Sequence, residues 1–405
     1  MTHHGARPFL PYGRQLIDDD DVKAVVEVLR SEMLTTGPMV ERFELGFAAE
    51  VGAPHAVCCA SGTAALHIAA LALDLGLGDR VVVPSITFVA TANAIRYVGA
   101  EVIFADVDPD TGLMRPQDFD AALDRARGSV KAVFPVHLNG QAEDMAALRT
   151  RASDAGVAVV EDACHALGGG YRRADRTTVA IGACADSDMA TFSFHPVKAI
   201  ASGEGGAVTT REPRLARKLA LARAHGLVRE PRAFESRAAA FDADGAPNPW
   251  YYELAELGFN YRLTDLQCAL ALSQLAKLKR FIAARRALVA YYGTKLASLG
   301  NVVRPVARVP FGAPAWHLAA VLINFAAIGR SRAAIMRGLR QRGIGTQVHY
   351  IPVHRQPYYR RRYGELSLPG ADAYYARCLS LPLFVGMSEA DVDRVVEALA
   401  AEVGA

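Results

Sequence analysis

From about residue 20 to residue 225 the chain alternates short apolar runs with stretches whose apolar residues recur at helical spacing. The runs Ala56–Cys59, Arg80–Pro84, Glu101–Asp106, Lys131–Val136, Val157–Asp162 and Met189–Phe194 predict strands. Several are apolar without the period of two that a half-solvated strand shows, so they predict a mainly parallel sheet covered by helices on both faces. This alternation is that of the α/β class. Arg229–Pro249 departs from it: rich in Ala, Asp, Arg, Pro and Gly, the segment predicts a long loop or flap. Helical spacing returns over Leu263–Leu278, with Thr264 as N-cap. From about Leu296 the texture changes to a strand (Trp316–Ile323), a helix (Ser331–Arg342, ended by Gly343), a strand (Thr346–Ile351) and a final amphipathic helix (Glu389–Val403). That is a compact α+β unit of about 110 residues, large enough for its own core. Asp18–Asp21 predicts a helix N-terminus, where carboxylates complement the dipole.

Composition narrows the picture. A chain of 405 residues, 51% hydrophobic and 21% charged, excludes collagenous, low-complexity and globally disordered states. Its 45 basic and 42 acidic side chains give a net charge of +3, too balanced for a protein that works on nucleic acid. No apolar run is long enough to cross a membrane, and Met1–Pro8 contains no apolar core of a signal peptide, so a cytoplasmic location is expected. Cys58, Cys59, Cys164, Cys184, Cys268 and Cys378 form no C-x-x-C pair, which argues for buried free thiols and against a metal or disulfide framework.

In an open α/β sheet, ligands lie outside the carboxyl ends of the strands, so the residues following each predicted strand are the candidates. Ser61-Gly62-Thr63 follows the first and opens a helix, a place for an anion such as phosphate or simply a cap. Thr87-Phe88-Val89-Ala90-Thr91 sets an aromatic at the same edge. Asp162 and His165 end an apolar strand, where the acid either holds a loop or meets a cationic ring nitrogen. Lys198, among small and apolar neighbours after Phe192-Ser193-Phe194, is a candidate desolvated amine for Schiff-base chemistry. Gly203-Glu204-Gly205-Gly206 reads as a turn needing permissive φ. The stretch His354–Tyr363, which interleaves bases and aromatics, reads first as a solvated loop near the site mouth and second as a contact for a substrate diphosphate. No G-x-G-x-x-G opens the first strand-to-helix turn, which weighs against a dinucleotide-dependent oxidoreductase.

Taken in order, Ser61-Gly62-Thr63, Thr87-Phe88, Glu161-Asp162-Ala163-Cys164-His165, Phe192-Ser193-Phe194-His195-Pro196-Val197-Lys198 and Gly203–Val208 resemble the DegT/DnrJ/EryC1/StrS family of pyridoxal-phosphate-dependent sugar aminotransferases. Gly258-Phe259-Asn260-Tyr261-Arg262, Ala224-His225-Gly226 and Gln347–Pro352 are similar to the branch that aminates the 4-keto sugar of pseudaminic acid biosynthesis. The resemblance implies a fold-type I transferase: a large cofactor-binding domain over 1–280 with a mainly parallel sheet of the seven-stranded type, and a small C-terminal α+β domain over 281–405. It implies pyridoxal 5'-phosphate as cofactor, with Lys198 as its Schiff-base lysine and Asp162 paired to the pyridine nitrogen. Phe88 would stack on the ring, Ser61, Gly62, Thr63 and Ser193 would hold the phosphate, and His165 would lie near the phenolic oxygen. Asn260, assisted by Arg262, would reach the neighbouring subunit's phosphate, implying a homodimer with shared sites. No metal is implied. The substrates implied are L-glutamate and a UDP-linked 4-keto-6-deoxy-N-acetylhexosamine, with another 3- or 4-keto-deoxysugar or a non-aminating protein of the same fold as alternatives. The intact Lys198 weighs against the branch in which histidine replaces lysine and sugars are dehydrated or deoxygenated.

Overall fold

The computed structural model describes residues 8–300 and 302–404. Its central sheet has seven strands: β1 (His55–Cys59), β2 (Arg80–Pro84), β3 (Glu101–Ala105), β4 (Val130–Val133), β5 (Ala158–Asp162), β6 (Met189–Ser193) and β7 (Gly206–Thr210). They lie in the order β1-β7-β6-β5-β4-β2-β3, and every strand but β7 runs in one direction. Val81, Val82, Val83, Val159 and Val160 in its centre have no exposed surface, as unbroken apolar runs require when helices cover both faces. Each such side chain stabilises the fold by about 1.5–3 kcal/mol relative to exposure.

β7 lies outside the strands expected from the apolar runs, because Thr209 and Thr210 interrupt its pattern. Both are nevertheless buried. Their hydroxyls donate to the carbonyls of Gly182 at 2.8 Å and Asp188 at 2.7 Å, which offsets the desolvation cost. The preceding bend has the expected left-handed glycine at Gly203, φ 83°. Gly206 is constrained by space instead: a Cβ there would lie 2.4 Å from the Ser61 carbonyl oxygen.

Helix α1 (Asp19–Leu29) begins at the acidic run with Asp18 as its cap. Asp21 is buried and fastened by Ser273 and Gln274, each at 2.6 Å, and by Lys277 at 2.9 Å. Helices α2 (Gly62–Ala72) and α3 (Val89–Tyr97) follow β1 and β2. Thr264 caps α4 (Asp265–Leu275) in a reciprocal box with Gln267. The single helix expected over 263–278 stops there, and a second one, α5 (Leu278–Leu296), continues for 19 residues. The flap folds partly on itself: Leu227–Val228 pairs with Glu253–Leu254, and Phe234 packs with Val228 and Ala240 in a small core of their own.

The C-terminal region carries an antiparallel sheet in the order β8 (Val303–Pro305), β9 (Ala319–Ile323), β10 (Cys378–Leu381), with helices α6 (Arg332–Gln341) and α8 (Glu389–Val403) beside it. The strand expected over 346–351 does not form. Only Gln347 pairs with Ser380, through backbone bonds of 3.1 and 2.8 Å. The chain then turns His349 inward, where its Nδ1 meets Ser380 Oγ at 2.8 Å, so these residues line a cavity instead of alternating across a sheet. The aromatic and basic stretch is solvated as expected, with Arg355, Tyr358 and Arg360–Arg362 exposed, but it is not a loop. Pro357–Tyr363 forms helix α7 between α6 and α8, with Tyr359 edge-on to Phe104 at 5.2 Å and Tyr363 donating to Glu101 at 2.7 Å.

Candidate active site

The carboxyl ends of β1, β5 and β6 open onto one cavity of about 590 Å³. Ser61, Gly62 and Thr63 form one side of it at the start of α2. Ser61 is the helix cap, its Oγ accepting from the Ala64 N–H at 3.1 Å, and the first-turn N–H groups without helical partners make the place anion-binding. Ser193, at the end of β6, closes the cradle so tightly that a Cβ on Gly62 would come 2.8 Å from the Ser193 Cβ. Only glycine leaves the backbone free for a ligand to approach here.

Asp162 ends β5, lines the same cavity and is 6% exposed. Thr91, on α3, donates its hydroxyl to Oδ2 at 2.7 Å, and the Cys164 N–H donates to Oδ1 at 3.2 Å. Because side chains alternate along a strand, the preceding Glu161 points the other way, into a buried network with His137 at 2.6 Å and Ser187. Thr91 is a site residue that sequence reasoning left without a role. Its signal was present: Thr87 and Thr91 stand one helical turn apart and bond each other at 2.8 Å.

Lys198 reaches the same cavity from the turn after β6, its backbone N–H bonded to the His195 carbonyl at 2.8 Å. Burial lowers the pKa of its amine; Cys164 and Asp162 oppose that shift, and the Arg285 guanidinium adds to it. The neutral, nucleophilic amine is thereby favoured. Arg285 is itself 3% exposed and fixed by the carbonyls of His317 at 3.2 Å and Leu383 at 3.1 Å, with burial bringing its pKa down to about 10.

The remaining wall is a cluster of His165, His317, His349 and Tyr350. His165 Nδ1 accepts the Asn139 N–H at 3.4 Å, so Nε2 carries the proton and donates to Tyr350 Oη at 3.1 Å. The His165 and His317 rings lie 4.2 Å apart. Burial, reinforced by the charge of Lys198, holds all three imidazoles below their ordinary pKa, His349 at about 3. Of this cluster the sequence reading gave a role to His165 alone; His317, His349 and Tyr350 come from the C-terminal region by tertiary folding.

These histidines make stability pH-dependent. Below pH 6.5 the unfolded chain takes up protons that the folded cluster refuses, so stability falls as pH falls, through the window from 6.5 down to the depressed folded value. For His349, with its folded pKa near 3, the loss by pH 5 is about 2 kcal/mol. Urea unfolding at pH 7 and pH 5 measures this, and His349→Gln is expected to remove that share of the difference.

Phe88 stands at the cavity mouth, 56% exposed, its ring 6.0 Å from that of Tyr350. Asn260 is not brought to this cavity within the chain: it is exposed, its backbone paired with Ala224. Arg262 is partly buried, and its Nε has no hydrogen-bond partner. Ser61, Gly62, Thr63, Phe88, Asp162, His165, Ser193 and Lys198 thus share one space.

An anion cradle, a buried carboxylate and a desolvated amine lining one cavity, with an exposed aromatic at its mouth, fit a phosphorylated pyridine aldehyde. Comparison with known proteins agrees. Residues 15–400 match the DegT/DnrJ/EryC1/StrS aminotransferase family. The chain is 39% identical over 394 residues to the spore coat polysaccharide biosynthesis protein SpsC of Bacillus subtilis (strain 168), covering 96% of each chain. Among solved structures it resembles Helicobacter pylori PseC, an aminotransferase involved in the biosynthesis of pseudoaminic acid, with a TM-score of 0.87, 26% identity and 98% and 99% of the two chains covered. A Streptococcus pneumoniae structure in its PLP-form aligns with a TM-score of 0.84 at 25% identity, over 98% of this chain and 99% of that one. The chain therefore belongs to the DegT/DnrJ/EryC1/StrS aminotransferase family, as a sugar aminotransferase whose cofactor is pyridoxal phosphate.

Proposed function

We propose that this enzyme moves an amino group from L-glutamate to C4 of a UDP-linked 4-keto-6-deoxy-N-acetylhexosamine, in the cytoplasm, as a homodimer. The observation that carries the reading is the depressed amine of Lys198 set beside Asp162 in one cavity. The likeness to PseC over 98% of the chain supports the keto-sugar acceptor.

When bound, pyridoxal phosphate supplies an electron sink for the carbon that carries the amine. Ser61, Gly62, Thr63 and Ser193 would hold its phosphate, and Phe88 would cover the ring face. Asp162, oriented by Thr91 and the Cys164 N–H, would hold positive charge at the ring nitrogen. His165 would donate to the phenolic oxygen from the ring position it presents to Tyr350. Lys198 Nζ would take the proton from the glutamate Cα in the first half-reaction and would return a proton to C4 of the sugar in the second. Neutral His317 and His349 keep a second positive charge away from that amine.

Trp250, Leu254 and Leu257 are exposed by 73%, 61% and 86%, close in sequence to the exposed Asn260. That apolar surface suits a second copy of the chain, which would bring Asn260 to the neighbouring phosphate. Asn260→Ala is expected to weaken cofactor retention, and a mixed dimer of Asn260→Ala and Lys198→Ala chains to regain one intact site. Activity of the mixed population, each parent alone being inactive or weak, measures this; no recovery would contradict a shared site.

The substrate assignment is tested by incubating the holoenzyme with L-glutamate and the UDP-4-keto sugar and identifying the product by mass and NMR. A C4 amine supports it. Turnover confined to a different nucleotide-linked 3- or 4-keto-deoxysugar would replace the acceptor while leaving the aminotransferase chemistry in place.

A further inference from the structure

We infer that a second cavity, distinct from the cofactor site, binds a small amphipathic carboxylate. It has a volume of about 670 Å³, within the range of roughly 300–1,000 Å³ typical of small-molecule sites. It lies between α5, strands β8 and β9, and the segment 312–316. Val289, Leu296, Val306 and Trp316 give it apolar walls.

Asn139, 2% exposed, also lines the cavity. Its amide orientation is set by the Leu318 N–H, which donates to Oδ1 at 2.8 Å. The NH₂ group on the other side has no acceptor. A buried donor left in that state costs about 1–3 kcal/mol, which a ligand oxygen would recover. Arg286 and Arg308 are exposed lining residues, and among the described residues no acid lines the cavity; Arg286 Nε donates to the Pro314 carbonyl at 2.9 Å, so Arg308 is the guanidinium that meets a ligand. The resulting potential selects an anion, and the guanidinium fork suits a carboxylate.

Gly293 is an independent sign that this space is kept open. It stands within α5, where glycine costs roughly 1 kcal/mol relative to alanine. It lines the cavity, and a Cβ on it would meet no atom within 4 Å. Any larger residue would strengthen the helix and occupy the ligand's volume. The Asn139 backbone N–H also donates to His165 Nδ1 at 3.4 Å, so one residue borders this cavity and supports the cofactor site.

The test uses the holoenzyme with decanoate as probe. The chain has two tryptophans, Trp250 and Trp316, so a Trp250→Phe background leaves Trp316 as a reporter in the cavity wall. Decanoate below its micelle-forming concentration is expected to change Trp316 emission saturably, with decanol and acetate at the same concentrations giving no such response. Gly293→Leu is expected to abolish the response in a chain that unfolds at the same temperature or higher. Asn139→Asp, which keeps the shape but replaces the donor with an acceptor, is expected to weaken binding by about tenfold or more. The inference is overturned if decanoate gives no saturable response, if decanol binds as well as decanoate, or if Gly293→Leu leaves decanoate binding unchanged.

Discussion

Replacement of Lys198 by alanine is expected to abolish amino transfer from L-glutamate while the chain stays folded. On the proposed mechanism the change removes both the nucleophile and the proton carrier, roles that no neighbour can assume: His165, His317 and His349 line the same cavity, yet burial makes them weak bases. A proton carrier alone is worth about 10²–10⁴ in rate, so with the nucleophile also gone the loss is expected to be about 10⁴-fold or more. Folding is spared because Arg285, the buried cation behind Lys198, keeps its bonds to the His317 and Leu383 carbonyls. Truncating the Lys198 side chain takes no hydrogen bond from Arg285 and leaves stability within about 1 kcal/mol. Single-turnover assays with glutamate, together with thermal unfolding of the variant, check both halves.

Asp162→Asn is expected to produce the second largest loss. The amide retains the shape of the carboxylate and its carbonyl oxygen still accepts from Thr91, while the 3.2 Å bond from the Cys164 N–H loses its acceptor, so the loss of activity reports mainly the charge, together with one weak hydrogen bond. Breaking a buried charge pair on one side costs about 3–5 kcal/mol, which corresponds to roughly two to three and a half powers of ten in rate. Thr91→Val serves as the contrast. It leaves the charge and removes one hydrogen bond, with an expected effect of about 1 kcal/mol or tenfold less activity. The two variants compared under one assay separate the carboxylate's charge from its orientation.

How much of this could be read from the chain follows from where each signal resides. The parallel strands were legible because burial on both faces leaves an unbroken apolar run, as at Val81–Val83. β7 was not, because its threonines satisfy their hydroxyls through contacts that exist only in the folded state. The residues after β1, β5 and β6 were legible as a site because an open sheet directs ligands to its carboxyl edge. The role of Thr91 was not legible, since a hydroxyl reveals its acceptor only when α3 is laid against β5. Arg285, His317 and His349 were harder still. They belong to α5, the segment before β9 and the segment after Gln347, and nothing local indicates that they converge on Lys198. The expected strand over 346–351 failed for the same reason: its period looked extended, but His349 and Tyr350 are turned into the cavity by their partners Ser380 and His165.

On this reading Lys198 and its neighbours form a working aminotransferase site that accepts L-glutamate. The visible absorption spectrum of the purified protein with pyridoxal phosphate, recorded before and after addition of L-glutamate, tests it most directly. A yellow band that bleaches toward the near-ultraviolet absorption of pyridoxamine phosphate, and that is absent from Lys198→Ala, is the predicted result. A protein that turns yellow and does not respond to glutamate, or that takes up no cofactor, would contradict it.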